Sequence, residues 1–465
     1  MAPHDKPAIG RRTLLTATAG LTAGLAATIL PESAASAAPA PTPRPAATGM
    51  PAAATHRRRA EALRALERAA HPLRSTEPGG RTADLRALAA MIGDAKVVGL
   101  GEATHGSHEF FAMKERVFRH LVEEEGFTTF ALEMSWTAGL RIDEYLQGGA
   151  GDARRIAQET LIGSPWEREE FVSLIAWMRR HNDRHPGRKV HFMGNDVGAP
   201  RLGDDIFDRV LSYVRASRPQ DLARLESLYA GLRPLDDAFG YLRRPLAERR
   251  GNATTAQRAY DLVAAHKGGD ESGAWAEQHA RNIAQTFAFL ALDLSDPESV
   301  SAAEHLRDRV MADNTAWWHH RTGDKVLLSA HNGHVGYLAT DPFMYPTTQG
   351  AFLRNALGRG YAAIGFTFNR GSFLTATALG GAWGEVTVPA ATPDMQEHTL
   401  DRVRDRDYYL DLRTLPAAGR NWLNTPRPVY EAGSVFKKDP LPTLAIGRAY
   451  DILIHLNRVH AATKL

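Results

Sequence analysis

The stretch Lys96-Val-Val-Gly-Leu-Gly-Glu-Ala-Thr-His-Gly106 decides how the chain folds. Its first half, Val97 to Leu100, is a short apolar run, partly β-branched and interrupted by glycine, which predicts a buried strand. Its second half sets Glu102 and His105 in a turn of small residues. From Ser107 the periodicity becomes helical, with Phe110, Val117 and Leu121 on one stripe and Phe111, Phe118 and Val122 beside it. A strand that runs into ionisable groups and then feeds a helix is the unit from which open α/β sheets build sites. The strand ends leave a crevice, and the next helix N-terminus adds positive potential.

The same pattern recurs outward from that stretch. Apolar runs at 128–133, 190–196, 325–331 and 361–368 predict further strands, as do 408–412 and 451–456. Residues 372–378 with 384–388 suggest a hairpin. Helical periodicity covers 57–70, 84–91 with Thr82 as N-cap, 107–125, 137–146 and 168–183. From 202 to 320 the pattern is almost wholly helical, with breaks expected near Pro219, Gly251 and Gly269. The fold class is therefore α/β: a central, mainly parallel sheet flanked by helices, with a large helical insertion (202–306) expected to cover the C-terminal ends of the strands. Isolated aromatics of that insertion, Tyr229, Phe239, Tyr241 and Trp275, are expected to line the crevice as a lid.

Composition excludes several classes. The 465 residues include no cysteine, which removes thiol catalysis, disulfides and thiolate metal sites. The net charge is only +3 and no basic run is long, so no nucleic-acid surface is expected. The N-terminus carries Gly10-Arg-Arg-Thr-Leu-Leu15, an uncharged Ala/Thr/Leu stretch to Leu30, and Ala35-Ser-Ala37. This reads as a twin-arginine export signal over 1–37, cleaved near Ala37, and is too weakly apolar for a stable membrane anchor. A Pro/Ala-rich spacer (38–55) and one catalytic domain (56–465) follow, expected to work outside the cell as a monomer.

Four of the strands finish in polar residues. Val97–Leu100 runs into Glu102 and His105; 130–132 into Glu133; 190–193 into Asn195 and Asp196; 326–328 into His331, Asn332 and His334. In a parallel sheet those ends share one edge, so the carboxylates and histidines converge. Three chemistries could use them. The H-x-x-H pairs His105/His108 and His331/His334 would suit metal-assisted hydrolysis, though neither sits in a known zinc geometry. Serine acyl transfer lacks a G-x-S-x-G elbow. A histidine held by a carboxylate three residues away suits general-base activation of water.

Several segments resemble the erythromycin esterase family: Gly101-Glu-Ala-Thr-His-Gly106, Phe130-Ala-Leu-Glu133, Arg307-Asp308 with Met311-Ala312 and Asn314, and Ala330-His-Asn-Gly-His-Val335. Ile364-Gly-Phe-Thr-Phe368, Tyr409-Leu-Asp-Leu-Arg413 and Tyr450-Asp-Ile-Leu-Ile-His455 extend the likeness in order to the C-terminus. The resemblance implies a cofactor-free hydrolase of carboxylic esters or macrolactones, with His105 as general base and Glu102, Glu133 and His331 completing the site. It also implies a small-molecule ester as partner. Lys114 stands where resistance-type members usually carry arginine; it, Asp196, Asn332 and His334 are assigned to substrate binding. Relatives on a similar fold are thought to be metalloproteases or haem binders, which is the alternative class.

The export reading has a direct consequence. Replacing Arg11 and Arg12 by Lys should hold the protein inside the cell, and mass spectrometry of the exported chain should find it starting at or near Ala38. An exported chain that still begins at Met1 or Ala2 would mean an uncut, tethering segment.

Overall fold

The computed structural model describes residues 52–265, 270–378 and 381–465, with the side chain of Phe239 outside that set. The expected signal segment and the helix break at Gly269 lie outside the described residues. The first helix begins at Ala52, inside the stretch expected to be spacer.

The strands, in chain order, are β1 (His71–Pro72), β2 (Val97–Leu100), β3 (Phe127–Ser135), β4 (His191–Asp196), β5 (Lys325–Ser329), β6 (Tyr361–Thr375), β7 (Gly384–Val388), β8 (Tyr408–Asp411), β9 (Arg427–Pro428), β10 (Thr443–Leu444) and β11 (Ile452–Val459). All but β9 and β10 join one nine-stranded sheet in the order β1-β8-β11-β6-β2-β5-β3-β4, with β7 hairpinned onto β6. From β11 through β4 every neighbouring pair is parallel, while β8 and β1 close one edge antiparallel. The opening stretch lies in the middle: Val97 pairs with Val326 on one side and Tyr361 on the other. A strand paired on both edges and covered on both faces must be apolar throughout, and all of β2 is buried.

The helices are α1 (Ala52–Ala69), α2 (Arg86–Ile92), α3 (His108–Glu124), α4 (Trp136–Leu146), α5 (Ala153–Leu161) and α6 (Glu169–Arg184), followed by the helical region α7 (Asp205–Ser217), α8 (Pro219–Ala230), α9 (Ala238–Leu242), α10 (Leu246–Ala264), α11 (Glu271–Leu290) and α12 (Pro297–Thr322). Short helices α13 (Asn332–Val335), α14 (Gln349–Leu357), α15 (Gln396–Leu400), α16 (Ala417–Leu423) and α17 (Ile446–Ala449) complete the set. Strand residues alternate between two cores. Val97, Ala131, Val326 and Leu328 pack with Phe207, Leu225 and Phe287 of the helical region. Val98, Phe130, Leu132 and Leu327 pack with Phe110, Val117 and Leu121 of α3 and Leu174 of α6. That alternation is the two-residue period of a strand.

Four expectations need correction. Gly251 does not break a helix; it sits within α10 with open space around it, where glycine costs helix propensity only. Thr82 makes no side-chain cap, because its hydroxyl meets His120 Nδ1 at 3.1 Å instead. α5 was not foreseen. The helical region packs on one face of the sheet and meets the C-terminal end of β4, where Asn282 Nδ2 donates to Asp196 O (3.3 Å), but its described aromatics form no lid over the crevice. Tyr229 is buried edge-on to Phe207 (4.9 Å), Tyr241 packs on Phe287 (5.7 Å), and Trp275 packs on Trp317 (5.0 Å) and Trp318 (5.4 Å). An isolated aromatic in phase with a helix's apolar stripe is the anchor of helix-on-helix packing, so these side chains serve the core.

Helix α4 lies directly on β4, backbone to backbone. A Cβ on Gly139 would stand 1.9 Å from Gly194 N, and one on Gly194 would stand 2.1 Å from Ser135 O. Gly139→Ala should therefore destabilise at or above the upper end of the about 1–3 kcal/mol seen for overpacking, because backbone cannot move aside as a side chain can. Thermal unfolding within a degree of the parent would contradict this close approach.

Candidate active site

The loop from β2 to α3 is pinned from two directions. His105 N–H donates to Ala432 O (3.1 Å), Ala432 N–H returns to Ala103 O (2.8 Å), and Gly106 O accepts from Leu374 (3.0 Å) and Ala462 (2.9 Å). The segment after Tyr430 and the chain beyond β11 thus fix the loop that carries His105.

Within the loop, His105 Nδ1 lies 2.6 Å from Glu102 Oε1, and the Lys114 ammonium from α3 donates to Glu102 Oε2 and to Ala330 O. Burial would raise the Glu102 carboxyl, but Lys114 and His105 outweigh it and hold it below the usual range. The carboxylate therefore accepts, Nδ1 of His105 carries the proton, and Nε2 presents a lone pair. Nε2 is buried and has no hydrogen-bond partner among the described residues. Trp166 stands edge-on to the ring at 5.5 Å.

His331 is the complement. Its ring lies 4.9 Å from that of His105, at the end of β5. Its Nδ1 accepts the Gly333 N–H (3.2 Å), so in the neutral ring Nε2 carries the hydrogen. Burial, with the neighbouring His105 and His334, pulls His331 down to about 3, so it is neutral at any ordinary pH. Its Nε2 is likewise buried and unpartnered among the described residues. One ring offers a lone pair, its neighbour an N–H.

Behind them lies a closed network of charge. Glu133 Oε1 accepts from Arg307 (2.8 Å), and its Oε2 accepts the His331 backbone N–H (2.9 Å). Asp196 Oδ2 accepts two bonds from the same guanidinium (2.8 and 2.6 Å). His334 bridges Asp308 (2.8 Å) and Glu133 (3.3 Å). Burial opposes the Arg307 and His334 charges, but the facing carboxylates outweigh it and hold both rings of donors protonated. Burial would likewise raise Glu133; the charges of His334 and Arg307 instead hold it well below its usual value. Glu304, one turn before Arg307, is pushed up to about 7 by burial.

A cavity of about 860 Å³ opens over the two rings. It is lined by His105, His331 and His334, by a first wall of residues between 339 and 345, and by a second of residues between 431 and 442. Among the described residues, none of 202–306 lines it. The exposed Leu338 and Phe343 flank the first wall.

The structure brings Glu102, His105, Glu133, His331 and His334 together. It places three residues expected to bind substrate behind the cavity wall: Lys114 beneath Glu102, Asp196 on Arg307, and Asn332 clipped to the Phe366 backbone through Nδ2 (2.8 Å) and Oδ1 (3.0 Å). His108 turns away from His105, with Nδ1 on Glu170 (2.7 Å) and Nε2 on Glu77 (3.0 Å), and these partners raise it to about 9. Neither H-x-x-H pair aims both rings at one point. Sequence reading left Arg307, Asp308 and Glu431 out of the site. A signal existed for the first two: they fall with Glu304 on the same stripe of α12 as Val300, Ala303 and Met311, and charge in phase with an apolar stripe is charge bound for the interior.

Residues 122–459 match the family model described as erythromycin esterase. The chain is 25% identical over 332 residues to the erythromycin esterase type II of Escherichia coli, covering 64% of this chain and 74% of that one. A crystal structure of a Bacillus cereus protein is 28% identical with a TM-score of 0.80, covering 88% of this chain and 99% of that chain. A structure titled a succinoglycan biosynthesis protein is 29% identical, TM-score 0.77, with the same coverage. A mutant erythromycin esterase in its open conformation shares the fold at TM-score 0.62 and 17% identity, covering 83% of this chain and 96% of that chain.

Removing Arg307 tests the charge network. Arg307→Ala leaves buried Asp196 without its cation and Glu133 with His334 alone, and should cost about 3–5 kcal/mol at neutral pH. The sign of its pH dependence follows: burial already raises Asp196 against Arg307, and without the guanidinium it takes up a proton on folding, so stability falls as pH rises. The deficit relative to the parent should thus be larger at pH 8 than at pH 5.5. An unfolding deficit that is small and flat across that range would dissolve the network.

Proposed function

Because the chain belongs to the erythromycin esterase family, we propose that it hydrolyses a carboxylic ester or macrolactone by general-base activation of water on His105. The observation carrying this reading is the pair of buried, unpartnered Nε2 atoms under one cavity, one a lone pair and the other an N–H. A water held by His105 Nε2 loses its proton to the ring as its oxygen attacks the ester carbonyl. Glu102 faces the imidazolium so formed and fixes its tautomer, and Lys114 keeps Glu102 ionised. His331 Nε2–H donates to the oxyanion, and a neutral donor there needs no reorganisation as charge develops. Glu133 steadies His331 through its backbone N–H and adds negative potential beneath His105. Lys114, Asp196 and Asn332 are positioning residues in this scheme.

The cavity is near the top of the roughly 300–1,000 Å³ range of drug-sized ligand sites, so a bulky ester fits it better than a small one. Macrolactones are the first substrates to assay. We further propose that the protein is exported through its twin-arginine segment and acts as a monomer on a small molecule. No helix among the described residues is long and apolar enough to cross a membrane.

His105→Ala and Glu133→Gln should each lower kcat/KM for ester hydrolysis by about 10²-fold or more, the range of general-base catalysis. His108→Ala, whose ring faces Glu170, should leave turnover near the parent value. Folded, purified His105→Ala with parental activity ends the proposal. Loss of activity in chelator, with recovery on added metal, would favour the metal-dependent alternative.

A further inference from the structure

Expelling an alkoxide requires a proton at the leaving oxygen, a step the groups assigned above do not cover. The base and the oxyanion donor are two of the groups that line the cavity, so the proton must come from another of them. Among the wall groups, few have a proton to give. His334 has both nitrogens engaged by Asp308 and Glu133. Asp341 accepts the backbone N–H groups of Phe343 (3.2 Å) and Met344 (3.1 Å). The Tyr345 phenol is held far above its ordinary value by burial, which makes it a poor acid.

Glu431 differs. Thr340 donates to its Oε1 (2.9 Å), and its Oε2 has no protein partner among the described residues. With Oε1 occupied as acceptor, a protonated carboxyl carries its hydrogen on Oε2. Its position is fixed because the next residue, Ala432, is bonded in both directions to the His105 loop. It also adjoins His331: a Cβ on Gly333 would stand 3.3 Å from His331 Nδ1 and 3.8 Å from Glu431 Oε1, so both border the space that glycine leaves open.

We infer that Glu431 is the general acid of this site, delivering its Oε2 proton to the leaving alkoxide of a bulky aliphatic ester. The inference rests on the hydrolytic reading above. The step balances. Water adds to the carbonyl and its proton goes to His105. The oxyanion's electron pair then re-forms the C=O bond while the C–O bond to the alcohol breaks, and that bonding pair takes the Glu431 proton. The His105 imidazolium returns its proton to the Glu431 carboxylate through solvent. The sum is ester plus water to acid plus alcohol. Burial raises Glu431 to about 7 against the Thr340 hydrogen bond and the His334 charge, so an acid form is populated at working pH. Glu397 of α15, whose Oε1 accepts the Tyr430 N–H (2.8 Å), carries the nearest like charge, and Asp341 and Lys437 line the same cavity.

Leaving-group dependence tests this assignment. Glu431→Gln keeps the shape and the acceptor for Thr340 but has no acidic proton. Against the parent it should lower kcat for an aliphatic alkyl ester about 10²-fold, within the range of general-acid catalysis. For the p-nitrophenyl ester of the same acid, kcat should stay within about threefold, because that leaving group departs without protonation. Thr340→Val should give the same bias in weaker form, which covers the case of a poorly folded Glu431→Gln. Equal losses on both esters, or none on the alkyl ester, overturn the inference. A parent enzyme that cleaves neither ester overturns the hydrolytic reading instead, so the two failures are distinguishable.

Discussion

The contact of Arg307 with Glu133 and Asp196 is the constraint on which the rest of the architecture depends. Glu133, near the end of β3, and Asp196, which closes the adjacent parallel β4 and pairs in register with Ser135, are both fully buried. Two like charges that close, out of water, would each cost several kcal/mol if left alone. One guanidinium with a planar fork meets both, and it can do so only from a helix laid across the strand ends. Helix α12 is long because it has two jobs: its first half carries Glu304, Arg307 and Asp308 to that edge, and its second half packs Trp318 under the sheet. The helical region is thereby tied to the chemistry through charge, without lining the cavity.

The opposite side of the site is tied by backbone. The His105 loop takes hydrogen bonds from Ala432, Leu374 and Ala462, three points spread over the last quarter of the chain. His105 is thus positioned by segments far away in sequence, while its partner Glu102 is three residues away. Local spacing sets the tautomer; long-range contacts set the direction in which Nε2 points.

This division explains what was legible in the sequence. The strands were readable because a central parallel strand is apolar on both faces, and the polar residues closing β2, β3, β4 and β5 stand out against such runs. The convergence of these carboxylates and histidines followed from topology alone. The cavity walls were invisible for the opposite reason. Residues 337–345 and 431–442 carry almost no regular structure, so no periodicity marks them, and Glu431 stands in Tyr-Glu-Ala-Gly with nothing to separate it from a solvated turn. The aromatics of the helical region misled because a lone Tyr or Trp reads alike whether it faces a ligand or a neighbouring helix. Tyr229 and Trp275 found Phe207 and the Trp317–Trp318 pair, and no sequence window contains both partners of the first contact.

The two histidines of Ala330-His-Asn-Gly-His-Val335 show how environment, more than residue type, assigns a role. They stand three residues apart on one turn of chain and both are buried. His334 lies between Asp308 and Glu133, two carboxylates that repay the desolvation of a cation, and so it is an imidazolium. His331 meets no carboxylate with its side chain; Glu133 takes its backbone N–H instead, and its Nδ1 is spent on the Gly333 amide. With His105 and His334 nearby, a proton on His331 would be opposed by burial and by like charge together, so the ring stays neutral. A cation at 331 would compete with the protonation of His105, which general-base catalysis requires. By drawing the positive charge back to His334, where it faces Glu133 and Asp308, the network keeps a cation off the ring that stands beside His105.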